Sequence, residues 1–282
     1  LPAAGDFRLD VLDVGQGLAV IVRTRGHNLV YDAGPLYAAA DEAGRRVVLP
    51  YLLRLGVTRL DGMIVSHDDI DHRGGAATVQ AGMMPAWLLS SLVEPGDGRL
   101  SAGAQALIGG ARRSLRCHAG QTWQWDGVRF DILHPPARFH DNPGFPDNDR
   151  SCVLRIRSRS GSALLTGDLG RLGEMSLLEA GSQVALAARV LVVGHHGSDS
   201  SSSPAMLRAV RPEHALISVG AGNAFGHPHP ALLARLAGTG AQVWRTDREG
   251  ALRVAFTAGH VQVTRTRSER LRYWHAAVRA AP

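Results

Sequence analysis

The sequence predicts a layered α/β protein with two sheets packed face to face and helices outside. Strand-like and helix-like runs alternate from one end of the 282 residues to the other. The chain is 45% hydrophobic and 20% charged, which supports a sizeable core and excludes a disordered or fibrous chain. Several strand-like runs end abruptly on polar residues, as they would if strand termini shared one rim.

Residues 7–14, 18–23 and 28–32 read as three short strands separated by glycine-containing turns, a meander opening. Residues 38–55 have a helical pattern. Residues 60–66 form a buried strand that stops on a polar cluster, and a helix starts after Gly74-Gly75. Strands follow at 128–133, 152–157 and 163–166, then a helix at 171–180. A strand at 189–194, a helix at 204–210 and a strand at 215–219 repeat the alternation. The helix 230–236 and strands near 242–245, 251–256 and 261–264 complete it. Residues 134–150, rich in Pro, Asn and Asp, read as a long loop of the kind that carries function. The expected organisation is a single domain over residues 1–264 and an Arg-rich tail over 265–282.

All 31 basic residues are arginine, and against 25 acids they give a formal net charge of +6. This mildly favours an anionic partner. Codon bias accounts for the absence of lysine as readily as phosphate binding does. Arg245, Arg248, Arg253, Arg265, Arg267, Arg270 and Arg272 crowd the C-terminal part, with Trp244, Tyr273 and Trp274 among them as candidate base-stacking groups. A solvated tail and an ordinary sheet edge explain that composition equally well. No apolar run approaches the ~20 residues that span a bilayer. The chain begins at Leu1 without a signal segment, so it reads as a soluble piece of a longer protein. Cys117 and Cys152 are compatible with one disulfide or two free thiols.

The most informative segment is Ser66-His67-Asp68-Asp69-Ile70-Asp71-His72-Arg73-Gly74-Gly75. Two histidines and three carboxylates at the end of an apolar strand repel one another unless a cation sits among them. A divalent metal is the economical solution, and the carboxylate share leans toward hard ions. Three further strand ends deliver Asp168 (after Leu164-Leu165-Thr166-Gly167), the pair His195-His196, and His227 with His229.

The ordered set of motifs resembles a known family. His67, Asp69, Asp71 and His72 are similar to the HxHxDH signature of the metallo-β-lactamase superfamily, with Asp69 where the second His usually stands. Together with LDVGQG (12–17), YDAGP (31–35), Asn148 and Ser151 before Val153-Leu154, LLTGD (164–168), VGHHGS (193–198) and FGHPHP (225–230), the chain resembles the nuclease domain of ComEC-type DNA-uptake (competence) proteins. The resemblance covers about residues 7–256. It implies an αβ/βα four-layer sandwich with two mixed sheets.

It also implies two divalent metal ions, Mn or Zn, held by His67, Asp69, Asp71, His72, Asp168 and His195, with His196 competing for the last position. Asp32 would order the ligand loop. Asp71, His196 and His227 would take catalytic roles, and Asn148, Ser151, Ser198 and His227 would bind substrate. The His that the superfamily usually carries before the bridging Asp is absent, its neighbourhood offering Asn148. The activity implied is metal-dependent DNA hydrolysis without sequence preference, degrading the non-transported strand during natural transformation. The domain would lie on the extracytoplasmic face of the cytoplasmic membrane, attached to the channel portion of the same membrane protein. Two alternatives stand beside this: a phosphodiesterase on a non-nucleic-acid substrate, and a degenerate DNA-binding module.

Overall fold

The computed structural model describes residues 1–92, 100–139, 144–180 and 186–269. Two large sheets pack face to face. The first has eight strands in the spatial order His260–Arg265, Leu252–Thr257, Phe7–Val11, Ala19–Arg23, Asn28–Ala33, Gly62–Val65, Leu88–Ser90, Ser114–Arg116. The second has seven, in the order Gln242–Arg245, His214–Ile217, Val190–Val192, Gly161–Leu165, Val153–Ser158, Val128–His134, Thr122–Trp125. Each sheet is antiparallel on one side and parallel on the other. The parallel strands are joined through Ala76–Met83 and Ala102–Gly110 in the first sheet, and through Arg171–Ala180, Pro204–Val210 and Pro230–Ala237 in the second.

Period-2 alternation explains the four layers. Val20, Val22, Leu29 and Tyr31 point between the sheets, where they meet Phe130, Leu154, Ile156 and Val192. Ala19, Ile21 and Val30 point the other way, onto Val48, Leu52, Val79 and Met83 of the first helical layer. Leu164, Leu191 and Ile217 do the same for the second sheet, against Leu177, Met206, Leu207 and Leu236. Helix starts follow side-chain capping: Ser101 Oγ accepts from Ala104 N, and Ser203 Oγ accepts from Met206 N with Pro204 in the first turn. Cys117 and Cys152 form a disulfide inside the inter-sheet core.

The structure departs from the sequence expectations in three places. The helix expected over 38–55 begins only at Gly44; before it, Leu36–Ala38 and Asp41–Glu42 form a two-stranded ribbon. Ala40 closes that ribbon at φ 61, a left-handed conformation that ends right-handed helix, and Glu42 Oε2 accepts from Arg45 N where the coil starts. The segment 134–150, expected as a loop, holds short turns at Ala137–Phe139 and Asn148–Arg150, and the ring of His134 lies 2.7 Å from the Asp149 carbonyl. The described part of the expected 265–282 tail is integral: Arg265 closes the last strand, and Arg267 in the helix Thr266–Glu269 pairs with Asp13.

Candidate metal centre

The carboxyl ends of Gly62–Val65, Gly161–Leu165 and Val190–Val192 emerge at one edge of the sandwich. Apolar strands hold these ends rigidly, and the polar residues that follow converge there. The first strand delivers His67 and Asp69, and the helical turn Ile70–Arg73 carries Asp71 and His72. The second delivers Asp168 and the third His196. Two donor groups result: Asp71, His72, Asp168 and His196, and His67, Asp69 and Asp168, each with its ligand atoms within 4.8 Å of one another. Asp168 belongs to both.

The histidine nitrogens are sorted by their partners. His72 Nδ1 donates to Asp32 Oδ2 at 2.8 Å, and His196 Nδ1 donates to the Ser218 carbonyl at 3.0 Å. Both Nε2 atoms therefore present lone pairs, and these lie 3.1 Å apart. Asp168 Oδ1 is 3.0 Å from His72 Nε2, and Asp71 Oδ2 is 3.1 Å from His196 Nε2. His67 Nδ1 donates to Ser66 Oγ at 2.9 Å, leaving a buried Nε2 without a hydrogen bond and 3.4 Å from Asp69 Oδ2.

Lone pairs on nitrogen and carboxylate oxygen, pressed together out of water, require positive charge between them. Without a metal, protons fill that need. Although burial disfavours the charge, Asp168 and Asp32 raise the His72 pKa well above the usual histidine range. Burial likewise opposes the ionised Asp168, but His72 and His196 hold its carboxyl well below its usual value. A set of imidazoles and carboxylates with its outer nitrogens already anchored fits a divalent cation.

Asp32 organises this shell from below. It is fully buried and accepts from Ser66 N and Ser66 Oγ, both at 2.7 Å, and from His72. Through Ser66 it orients His67 as well. Asp32, His195 and His196 all adopt positive φ, at 55°, 50° and 52°. Non-glycine residues in that region cost roughly 1–3 kcal/mol each and persist where surrounding structure holds them. Gly17 is required by close approach: a Cβ there would meet the Asp71 carbonyl at 2.4 Å, and the next residue's amide, Leu18 N, donates to that same oxygen.

Several of the residues named from the sequence lie outside the two donor groups. His195, expected as a ligand, lies outside the four-donor group, which takes in His196. Its Nε2 stands 3.8 Å from Asp168 Oδ2 and its Nδ1 faces Ser200 Oγ at 3.1 Å, nearer the surface. Ser151, expected to bind substrate, is fully buried; its Oγ accepts from Asp168 N and faces His67 Nδ1 at 3.4 Å, so it braces those two side chains. Asn148 is half-buried, and its carbonyl accepts from Ser151 N. Ser198 lies half-buried at the rim, bonded to Ser200. The His227 ring is 5.9 Å from that of His195, and burial with the neighbouring His195 and His196 lowers its pKa.

Among the C-terminal arginines, Arg245 pairs with Asp247, Arg253 with Asp10 and Arg267 with Asp13, while Arg265 lies over the half-buried Trp244. Arg270, Arg272, Tyr273 and Trp274 lie outside the described residues. The Ser66 and Ser218 supports were not anticipated; the serine at the end of each strand, Ser66 after 62–65 and Ser218 after 214–217, was the available signal.

Comparison with known proteins follows the same lines. The profile of the Metallo-beta-lactamase superfamily matches residues 12–221. Competence protein ComA of Neisseria gonorrhoeae is 40% identical over 94% of this chain and 34% of its own length. Recombination protein 2 of Haemophilus influenzae is 34% identical over 96% of this chain and 32% of its own length. The chain thus spans about a third of these relatives. Among solved structures, the metallo-beta-lactamase fold protein YhfI from Bacillus subtilis shares the fold at a TM-score of 0.52 and 11% identity, over 88% of this chain and 99% of its own. Among the described residues no helix is long and apolar enough to cross a membrane.

Proposed function

The chain belongs to the metallo-β-lactamase superfamily, a metal-dependent hydrolase fold, and on that premise we propose that it is a metal-dependent phosphodiesterase acting on DNA during DNA uptake. The observation that carries the reading is the carboxylate of Asp168, common to two adjacent donor groups. Asp71, His72, His196 and Asp168 would hold one divalent ion; His67, Asp69 and Asp168 would hold the other. Such a pair, when bound, supplies Lewis-acid polarisation of a phosphoryl oxygen and activation of water at neutral pH.

The chain's own residues complete the chemistry. Asp71 is 28% exposed, the most accessible donor of its group; burial would raise its pKa, but the bond to His196 together with the charges of His72 and His196 lowers it, so the carboxyl stays ionised. Its carboxylate is placed to orient an attacking water. His227, kept neutral, donates a hydrogen bond to the leaving oxygen rather than entering as an imidazolium. Ser198 and Ser200, hydrogen-bonded to each other at 3.0 Å at the rim, would donate to phosphoryl oxygens. With one nitrogen ligand in the group of His67, Asp69 and Asp168, that position favours Mn over Zn.

The similarity to competence and recombination proteins over nearly the whole chain supports DNA as the substrate. The two thirds of each relative's length not matched here accommodates the channel portion of the same protein. The Cys117–Cys152 disulfide suits an oxidising compartment and so supports placement on the extracytoplasmic face. The test is cleavage of DNA by the purified chain with Mn or Zn. Asp71→Ala and Asp168→Asn should each abolish it; undiminished cleavage by either variant refutes the two-ion site. Cleavage of a small chromogenic phosphodiester but not DNA assigns the site to another phosphodiester.

A further inference from the structure

Phe225 is 69% exposed, and apart from Leu1 no large apolar side chain among the described residues is more so. Water disfavours an isolated exposed phenyl ring, so what holds it out is informative. Asn223 pins the loop from both sides. Its Oδ1 accepts from Phe225 N at 3.2 Å and His227 N at 3.0 Å, and its Nδ2 donates to the carbonyls of Gly220 at 3.0 Å and His227 at 2.7 Å.

The loop is also locked to the metal-centre loop. His229 N donates to the Gly197 carbonyl at 2.8 Å, and Pro228 lies so close to Gly197 that a Cβ there would stand 2.6 Å from the proline Cβ. Phe225 is therefore fixed relative to His196, one residue before Gly197. The rings form a graded series from the surface inward. Phe225 lies over His227 with centroids 5.8 Å apart and planes 28° apart, His227 meets His195 edge-on at 5.9 Å, and His195 adjoins His196 at 6.4 Å. One face of the phenyl ring rests on His227, and the exposure leaves the other toward solvent.

We propose that Phe225 is a preset stacking platform for an unpaired nucleobase of a strand whose phosphate is drawn to the ions the donor cluster would hold, an inference that rests on the phosphodiesterase reading above. A ring held a few side chains from a phosphodiester site matches the chemistry of a nucleotide, an anion carrying a planar π-system on one sugar. Bases inside a duplex are covered on both faces by their neighbours, whereas single-stranded bases offer a face to an aromatic side chain. Because Asn223 fixes the loop beforehand, little conformational freedom is lost on binding. The platform recognises any base, in keeping with recognition that ignores sequence.

The test is equilibrium binding at low salt with Ca in place of Mn or Zn, by fluorescence anisotropy, of a labelled single-stranded oligonucleotide and of an equal-length oligomer of abasic tetrahydrofuran units. Phe225→Ala should weaken binding of the base-bearing strand about fivefold or more, and Phe225→Trp should restore it. The abasic oligomer should bind wild type and Phe225→Ala alike. A Phe225→Ala affinity within about twofold of wild type for the base-bearing strand overturns the proposal, as does an equal loss on both oligomers. Wild-type binding of the strand without cleavage in Mn or Zn overturns the phosphodiesterase reading and leaves the stacking role standing. A wild type that binds neither oligomer overturns the stacking proposal, and cleavage of the chromogenic phosphodiester then decides whether the phosphodiesterase reading stands.

Discussion

Replacing Asp32 by asparagine changes one atom and should disarm a histidine it never shares a ligand with. Asp32 Oδ1 accepts from Ser66 N, and Oδ2 accepts from Ser66 Oγ and His72 Nδ1. An asparagine must keep its oxygen toward Ser66 N, because the flipped amide would set two N–H groups against each other. The amide nitrogen then faces His72 Nδ1 and donates to it, which moves the imidazole proton to Nε2. That atom loses the lone pair aimed at Asp71, Asp168 and His196. Loss of such an outer partner typically lowers metal affinity about 10–100-fold, or about 1.4–2.8 kcal/mol. Two hydrogen bonds to a charged acceptor also weaken, at about 1.5–3 kcal/mol each and less than additively. Stability should therefore fall by about 2–4 kcal/mol. Calorimetric titration with Mn, alongside thermal unfolding in EDTA, measures both quantities. A folded Asp32→Asn variant that binds Mn with wild-type affinity would refute the tautomer argument.

Other perturbations separate residues that sit side by side. His196→Ala should remove an ion from the centre while His195→Ala leaves occupancy unchanged, as metal analysis of the two purified variants would show; equal losses would return His195 to the ligand set. Tyr31→Phe deletes the hydroxyl that donates to the Cys152 carbonyl at 2.6 Å in the core, and the stranded acceptor should cost about 1–3 kcal/mol by denaturant unfolding. Asp126 takes bonds from Thr24 Oγ1, Gly26 N and His27 Nδ1; these outweigh the opposing burial and lower its pKa to about 2. With its folded pKa depressed from 3.8 to about 2, its contribution to stability is present above the unfolded value and fades as pH falls through that window. Asp126→Asn should flatten the acid side of the stability profile between those values, and an unchanged slope would show that the latch does not hold.

Sequence and structure agree wherever one strong pattern decides an element. The helices Arg171–Ala180 and Pro204–Val210 fall where the apolar spacing and Pro204 place them, and both faces of the parallel strands are covered as their apolar runs require. What the residues did not reveal has identifiable causes. Leu88–Ser90, Ser114–Arg116 and Thr122–Trp125 went unread because three or four residues show no period of their own; pairing with neighbouring strands makes them strands. The choice between His195 and His196 was hidden because adjacent residues differ only in direction. Two successive left-handed backbones, a conformation no local pattern announces, turn His196 inward and leave His195 at the rim. The four-donor group was otherwise legible, since Asp71, His72 and Asp168 lie directly after apolar strand or turn signals.

The charge balance of the centre decides how many ions it should take. Asp32, Asp69, Asp71 and Asp168 place four carboxylates around His67, His72 and His196. With neutral imidazoles, the form in which histidine ligates, the centre carries four negative charges, and two divalent ions balance them. One ion leaves two charges over, and in the buried space around His72 and Asp168 such an excess is strongly disfavoured. The remainder would have to be met by protons kept on histidine, and a protonated Nε2 cannot ligate. Arg73, in the same helical turn as Asp71 and His72, offers no relief, because it is already paired with Asp68. The expected Mn stoichiometry is therefore two per chain, falling to one or none in Asp168→Asn, whose amide cannot serve both groups. A wild-type stoichiometry of one at saturating Mn would mean that Asp69, the more exposed carboxylate, is balanced by water and solvent ions instead, and that His67 closes a structural corner of the site.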